Sequence, residues 1–266
     1  MIGHFVQPKD SNPAKLPAMS DEPSQVAPGV HRLGNWLVNY YLIEDGNRMT
    51  LVDGGLPGFR PQLDAYLRSR GRSVSDIDAV LLTHGHSDHV GFVETVRTDA
   101  PAPVHIHEAD AEMARTAKPQ SREGSMLPHF RHRATWRLLV GGARLGGMRT
   151  PKIASPSTFN EGDELDVPGR PQIVHTPGHS NGHVVFHLPD RGALLAGDVI
   201  VTYNPLTGRP GPQIMPGAFN VSSPQAMASL ERIERLEAGV LAVGHGDPWT
   251  GGVAAAVARA REAGPS

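Results

Sequence analysis

His84-Gly85-His86-Ser87-Asp88-His89 places four side chains that can bind a metal within six residues, directly after the apolar run Ala79-Val80-Leu81-Leu82. Imidazole nitrogens and carboxylate oxygens are the donors that zinc and other borderline divalent cations take. The spacing suits a loop that curls around an ion, because ligand pairs on a helix stand three or four residues apart. Three further segments each carry one candidate at a turn after an apolar run. They are Thr176-Pro177-Gly178-His179-Ser180 after Ile173-Val174, Ala196-Gly197-Asp198 after Ala193-Leu194-Leu195, and Gly244-His245-Gly246 after Val240 to Val243. Strands that end at one sheet edge commonly build sites in this way, and glycines let the backbone turn close to an ion. Each candidate alone would be an ordinary turn residue. Jointly, His84, His86, Asp88, His89, His179, Asp198 and His245 are seven candidate ligands from four segments.

The order H-x-H-x-D-H, TPGHS, GD and GHG resembles the metallo-beta-lactamase superfamily. The similarity runs from near Gly29 to the end of the chain and includes Val52-Asp53-Gly54-Gly55. It implies an α/β fold, the four-layer αβ/βα sandwich, with metals at one edge between two β-sheets. By this resemblance His84, His86 and His179 would hold one ion, and Asp88, His89 and His245 a second. Asp198 would bridge the two, and Asp53 would orient a ligating imidazole from behind. Two divalent ions, with zinc first and iron or manganese as alternatives, would serve a hydrolase of esters, thioesters or lactones that attacks through a bridging hydroxide. Asp88 and Asp198 would be its catalytic carboxylates. Partnered by those two carboxylates and a hydroxide, the ions would keep about one net positive charge, which favours an anionic tetrahedral intermediate.

Within the superfamily the likeness extends to hydroxyacylglutathione hydrolases (glyoxalase II) and N-acyl homoserine lactonases. The sequence departs from both. About twenty residues follow His245, too few for a helical glutathione-binding domain, and Val201 stands three residues after Asp198 where lactonases carry tyrosine. Three other activities stay open: a mononuclear iron centre like that of persulfide dioxygenases, β-lactam hydrolysis, and non-catalytic binding.

Composition narrows these choices. A chain of 266 residues can bury a sizeable core in a single domain. A net charge of −2 without basic tracts gives no footprint for nucleic acid, so the expected partner is a small-molecule substrate; a homodimer is compatible with it. The absence of cysteine excludes disulfides, thiolate nucleophiles and those β-lactamase subclasses whose second metal needs a cysteine. No apolar window is long enough for a transmembrane helix. Residues 1–24 lack the apolar stretch of a secretory signal and read as an N-terminal arm before a domain over 25–266, with a cytoplasmic location expected.

The elements that must position the ligands follow from periodicity. Strands are expected at 30–33, 36–43, 49–52, 79–82, 104–107, 172–175, 183–188, 193–197 and 240–243. Helices are expected at 61–70, 90–96, 109–114, 224–237 and 252–262. Such interleaving indicates an α/β fold. Residues 118–156 are the least regular and read as a cover inserted over the cleft, supplying substrate contacts through Phe130 and Trp136. His129 and His132 lie in the same cover. Tyr203, five residues after Asp198, reads either as a donor to an oxyanion or as a packing residue. His183 reads as a structural residue of its loop, and His31, His105, His107, His175 and His187 as ordinary strand histidines.

Overall fold

Short strands that are apolar throughout, such as Ala193–Gly197 and Val240–Val243, are the pattern of sheets covered on both faces. The computed structural model, which describes residues 21–149 and 151–266, holds two such sheets. Strands β1 (Ser24–Ala27), β2 (Val30–Gly34), β3 (Asn39–Asp45) and β4 (Arg48–Val52) form an antiparallel meander. Helix α1 (Arg60–Ser69) then leads to β5 (Ile77–Leu81), parallel to β4. Helices α2 (Ser87–Val90) and α3 (Val93–Asp99) lead to β6 (Val104–His107). Helices α4 (Glu108–Thr116) and α5 (Arg133–Arg144) lead to β7 (Ser157–Phe159), so that seven strands lie side by side in chain order.

The second sheet is built from β8 (Gln172–His175), β9 (Val184–Leu188) and β10 (Ala193–Gly197), all antiparallel. Strands β11 (Val201–Tyr203) and β12 (Pro210–Gln213) pair only with each other. Helix α6 (Ser223–Glu234) carries the chain to β13 (Val240–Val243), which joins β10 in parallel, and α7 (Val253–Ala263) follows.

Period-two alternation sorts the buried side chains into three apolar layers. Tyr40 and Leu42 of β3 and Leu51 of β4 pack outward against Leu63 and Leu67 of α1 and Val93 and Val96 of α3. Their neighbours Tyr41, Ile43 and Val52 face the other way and meet Val184, Phe186, Leu188 and Leu195 between the sheets. Leu194, Ala196, Leu241 and Val243 turn from that layer toward Leu230 and Ile233 of α6 and Val257 of α7. Three apolar layers between four slabs of secondary structure are the αβ/βα sandwich expected from the sequence.

Several local expectations are corrected. The strand expected over 36–43 starts only at Asn39, because the Leu37 N–H donates to Asn35 Oδ1 at 2.8 Å in a side-chain-closed turn. The helix expected over 90–96 is divided at Gly91, where an added Cβ would stand 1.8 Å from the Gly55 carbonyl oxygen. Strands β1, β7, β11 and β12, three or four residues each, are too short for alternation to register, and the amphipathic helix α5 lies in the stretch read only as an irregular cover. Of the arm at 1–24, all but Asp21 to Ser24 lies outside the described residues, and Ser24 already belongs to β1. Among the described residues no helix is long and apolar enough to cross a membrane.

The buried Tyr41 hydroxyl donates across the interlayer to the Val243 carbonyl at 2.7 Å. Tyr41→Phe should therefore cost about 1–2 kcal/mol, against about 3–5 kcal/mol for Phe186→Ala, both read from urea unfolding midpoints.

Candidate metal centre

Four strand ends converge on the site. His84 follows β5, His179 follows β8, Asp198 follows β10 and His245 follows β13. The first motif does not stay a loop: His86 precedes α2, whose single turn carries Asp88 and His89. His84, His89, His179, Asp198 and His245 are buried, while His86 and Asp88 are half-buried. Three overlapping groups have ligand atoms mutually within 4.8 Å: His84, His86 and His179; His84, His89 and Asp198; and Asp88, His89 and His245. All seven candidates are thus brought together.

The hydrogen bonds behind the rings fix which nitrogen faces inward. Asp53, an acceptor only, takes the Thr83 hydroxyl proton at 2.8 Å, so His84 Nδ1 must donate to Thr83 Oγ1 at 3.0 Å. His179 Nδ1 donates to Asn220 Oδ1 at 3.0 Å. His89 Nδ1 donates to Asp53 Oδ2 at 2.8 Å, and His245 Nδ1 to the Leu37 carbonyl at 2.5 Å. In the neutral rings all four Nε2 atoms then point inward as lone pairs. His84 Nε2 and His179 Nε2 face each other at 3.2 Å, with His86 Nδ1 2.8 Å from the latter. Two lone pairs with no proton between them repel, and a cation among them removes the repulsion. His89 Nε2, His245 Nε2 and Asp198 Oδ1 are buried without a hydrogen-bond partner, and His245 Nε2 lies 3.2 Å from Asp198 Oδ2 and 3.5 Å from Asp88 Oδ2. The donor set therefore fits divalent metal.

Electrostatics divides the cluster. Burial holds His84 well below its usual pKa and pushes His86 down to about 3, so both present lone pairs at neutral pH. Burial would also lower His245, yet Asp198 and Asp88 raise it to about 10. His89 is raised against burial by Asp198 and Asp53. The carboxylate half of the cluster thus favours positive charge, which an ion supplies in place of protons.

A family model for the metallo-beta-lactamase superfamily matches residues 33–245. The chain belongs to the metallo-beta-lactamase superfamily. Among similar proteins is the probable metallo-hydrolase YflN of Bacillus subtilis (strain 168), 27% identical over 85% of this chain and 87% of its own length. The metallo-beta-lactamase family protein TTHA1429 from Thermus thermophilus superposes with a TM-score of 0.63 at 27% identity, over 89% of this chain and 78% of that one. Metallo-beta-lactamase SMB-1 shares the fold alone, with a TM-score of 0.66 at 17% identity over 93% and 96% of the two chains.

Superfamily ligand loops need a frame, and here three residues that the sequence did not single out help to supply it. Asp110 on α4 is fully buried and accepts from Gly85 N at 3.0 Å, Gly182 N at 2.7 Å, Ser180 Oγ at 2.5 Å and Gln120 Nε2 at 2.8 Å. It ties the His84–His86 loop to the His179 loop. Its signal was an acid on the apolar face of α4, alongside Met113 and Ala114. Thr83 and Asn220 hold His84 and His179; nothing in the sequence marked the latter. His183 is structural, as expected: its Nε2 accepts from Asp198 N at 3.0 Å, so its Nδ1 donates to Thr176 Oγ1 at 2.8 Å. Asp53 also accepts from Thr83 N at 2.8 Å, and takes a positive φ of 61° to reach it.

A cavity of about 300 Å³ opens above the cluster, with His86, Asp88, His179, Asp198 and His245 in its lining. Residues of the stretch 118–156 stand in its lining, but not the ones singled out from the sequence. Leu138, Leu139, Ala143 and Met148 line the cavity, whereas Phe130, Trp136, His129 and His132 do not. Phe130 and Trp136 pack on each other at 5.4 Å, and Trp136 Nε1 donates to the Phe130 carbonyl. The α5 helix turns its Leu138–Leu139 side to the cleft, so aromatic content misdirected the assignment. Tyr203 is also absent from the lining and pairs with Pro210 in the β11–β12 hairpin. His31 bonds Glu44, His107 stacks on His175, and His187 bonds Gln172; none joins the metal cluster.

Asp53→Ala should weaken metal affinity about 10- to 100-fold, measured by competition with a chromophoric chelator. Asp110→Asn replaces an acceptor oxygen with a donor facing N–H groups. It should lower metal affinity by a similar factor, and normal affinity in this variant would refute the loop-tying role.

Proposed function

We propose that this chain is a dinuclear, zinc-dependent hydrolase of esters, thioesters or lactones, acting on small molecules in the cytoplasm. The observation that carries the proposal is the set of converging lone pairs beneath a largely apolar cavity. His84, His86 and His179 would hold one ion and Asp88, His89 and His245 the other. Asp198 lies 3.4 Å from His179 Nε2 and 3.2 Å from His245 Nε2, within reach of both groups. When bound, the ions would supply hydroxide near neutral pH and electrostatic pull on a carbonyl oxygen.

The chain's own residues do the rest. Although desolvation would raise it, Asp88 is held below the usual carboxylate range by His245 and His89, so it faces the cavity as an ionised carboxylate suited to holding an ion. Leu37, Met113, Leu138, Leu139 and Met215 wall the cavity and would seat an acyl chain away from water. The second cluster, Asp88 with His89 and His245, favours this reading over a mononuclear oxygenase, which would leave those donors without an ion. The buried Asp198 beside both clusters favours acyl hydrolysis over a β-lactamase.

Purified protein should hydrolyse members of an ester, thioester and lactone panel, lose activity to a chelator and regain it with zinc. Asp198→Ala should abolish turnover and lower metal content. Iron at about one per chain, with oxygen uptake and no hydrolysis, would refute the proposal. Trimming Leu138 and Leu139 to Ala should change substrate ranking by chain length by about 1–3 kcal/mol, while Phe130→Ala leaves the ranking unchanged, as kinetics on an acyl series would show.

A further inference from the structure

The cavity wall carries one cation that the metal chemistry does not use. Arg122 is the one Lys or Arg side chain among the described lining residues. Arg60, Arg70, Arg97 and Arg232 each close an ion pair with a carboxylate. Arg122 instead lies over the Phe219 ring, 5.6 Å from its centroid, and no ion pair to it is found among the described residues. Its place is fixed by the backbone. Glu123 N donates to the Asn220 carbonyl at 2.8 Å, and Gly124 N to the Gly217 carbonyl at 2.9 Å. This short ladder runs beside Asn220, whose side chain holds His179. Arg122 is thus anchored to the same loop that supports a ligand, with Phe219 serving both as its platform and as cavity wall.

Much of the wall that this guanidinium shares with the donor cluster is apolar: Met113, Leu138, Leu139, Met148 and Met215. A substrate filling the cavity would meet the metal cluster, a hydrocarbon-like wall and a planar cation. A guanidinium stacked on an aromatic ring presents its N–H fork to a carboxylate or another oxyanion at little further entropic cost. We propose that Arg122 forms an anion subsite, and that the substrate is an acyl compound carrying an apolar chain and an anionic group separate from the scissile bond. This inference rests on the acyl-hydrolase reading for the position of the scissile bond.

Calorimetry on the protein with its own metal complement, at low ionic strength, compares suberate with octanoate. These are product-like probes of equal length with and without the second carboxylate. The ratio of suberate to octanoate affinity should fall about tenfold in Arg122→Ala, fall further in Arg122→Glu, and recover in part in Arg122→Lys. The wild-type ratio should also decline as salt is raised, because Arg122 is exposed to solvent. A ratio unchanged in Arg122→Ala, or no binding of suberate at all, overturns the subsite. Binding needs no turnover, so the two readings fail separately. An unchanged ratio in a protein that cleaves esters counts against the subsite alone. An Arg122-dependent ratio in a protein inert to esters upholds the subsite and counts against acyl hydrolysis.

Discussion

The structure turns on one electrostatic constraint: donor atoms from five imidazoles and two carboxylates converge at the floor of one cavity, and three of them are buried without a hydrogen-bond partner. Burying unpartnered polar atoms costs on the order of 1–3 kcal/mol each, and His89 Nε2, Asp198 Oδ1 and His245 Nε2 all stand in that state. Such a cluster persists only if the rings cannot turn away. Here the outer nitrogens are pinned by Thr83, Asp53, Asn220 and the Leu37 carbonyl, and Asp53 and Thr83 are themselves bonded. The donor that each outer nitrogen must be decides the tautomer, and the tautomer decides that the inner face is a metal site.

The sandwich exists in part to hold that arrangement across two sheets. His84 and His89 come from the first sheet's side, and His179, Asp198 and His245 from the second's, so their spacing depends on the layer between them. Asn39 strengthens the join by donating to the Val243 and Gly246 carbonyls at 2.9 and 2.7 Å. Backbone also comes very close to the donors. A Cβ at Gly244 would stand 2.0 Å from Asp198 Oδ1, so no larger residue could occupy the position without moving that carboxylate.

Much of this was legible in the sequence because ligand chemistry is local. A motif such as His84 to His89 declares its donors within six residues, and apolar runs declare the strands that deliver them. The supporting shell was less legible because it is made by tertiary contact. Asp110 shows in the sequence only as an acid on an apolar helix face, with its partners on two distant loops, and Asn220 lies 41 residues beyond the histidine it holds. The cavity wall was misread for a related reason. Phe130 and Trp136 carry the larger side chains, but the register of α5 and the preceding turn pair them with each other and give the cleft to Leu138 and Leu139. Strands β11 and β12, three and four residues long, have too few positions for alternation to register.

Anomalous diffraction from crystals of the protein with its native metal, recorded on both sides of the absorption edge, tests the central claim most directly. The account predicts two peaks about 3.5–4 Å apart, one among His84, His86 and His179 and one among Asp88, His89 and His245, with Asp198 between them. A single peak, with the remaining donors turned toward solvent or bonded to each other, would contradict it.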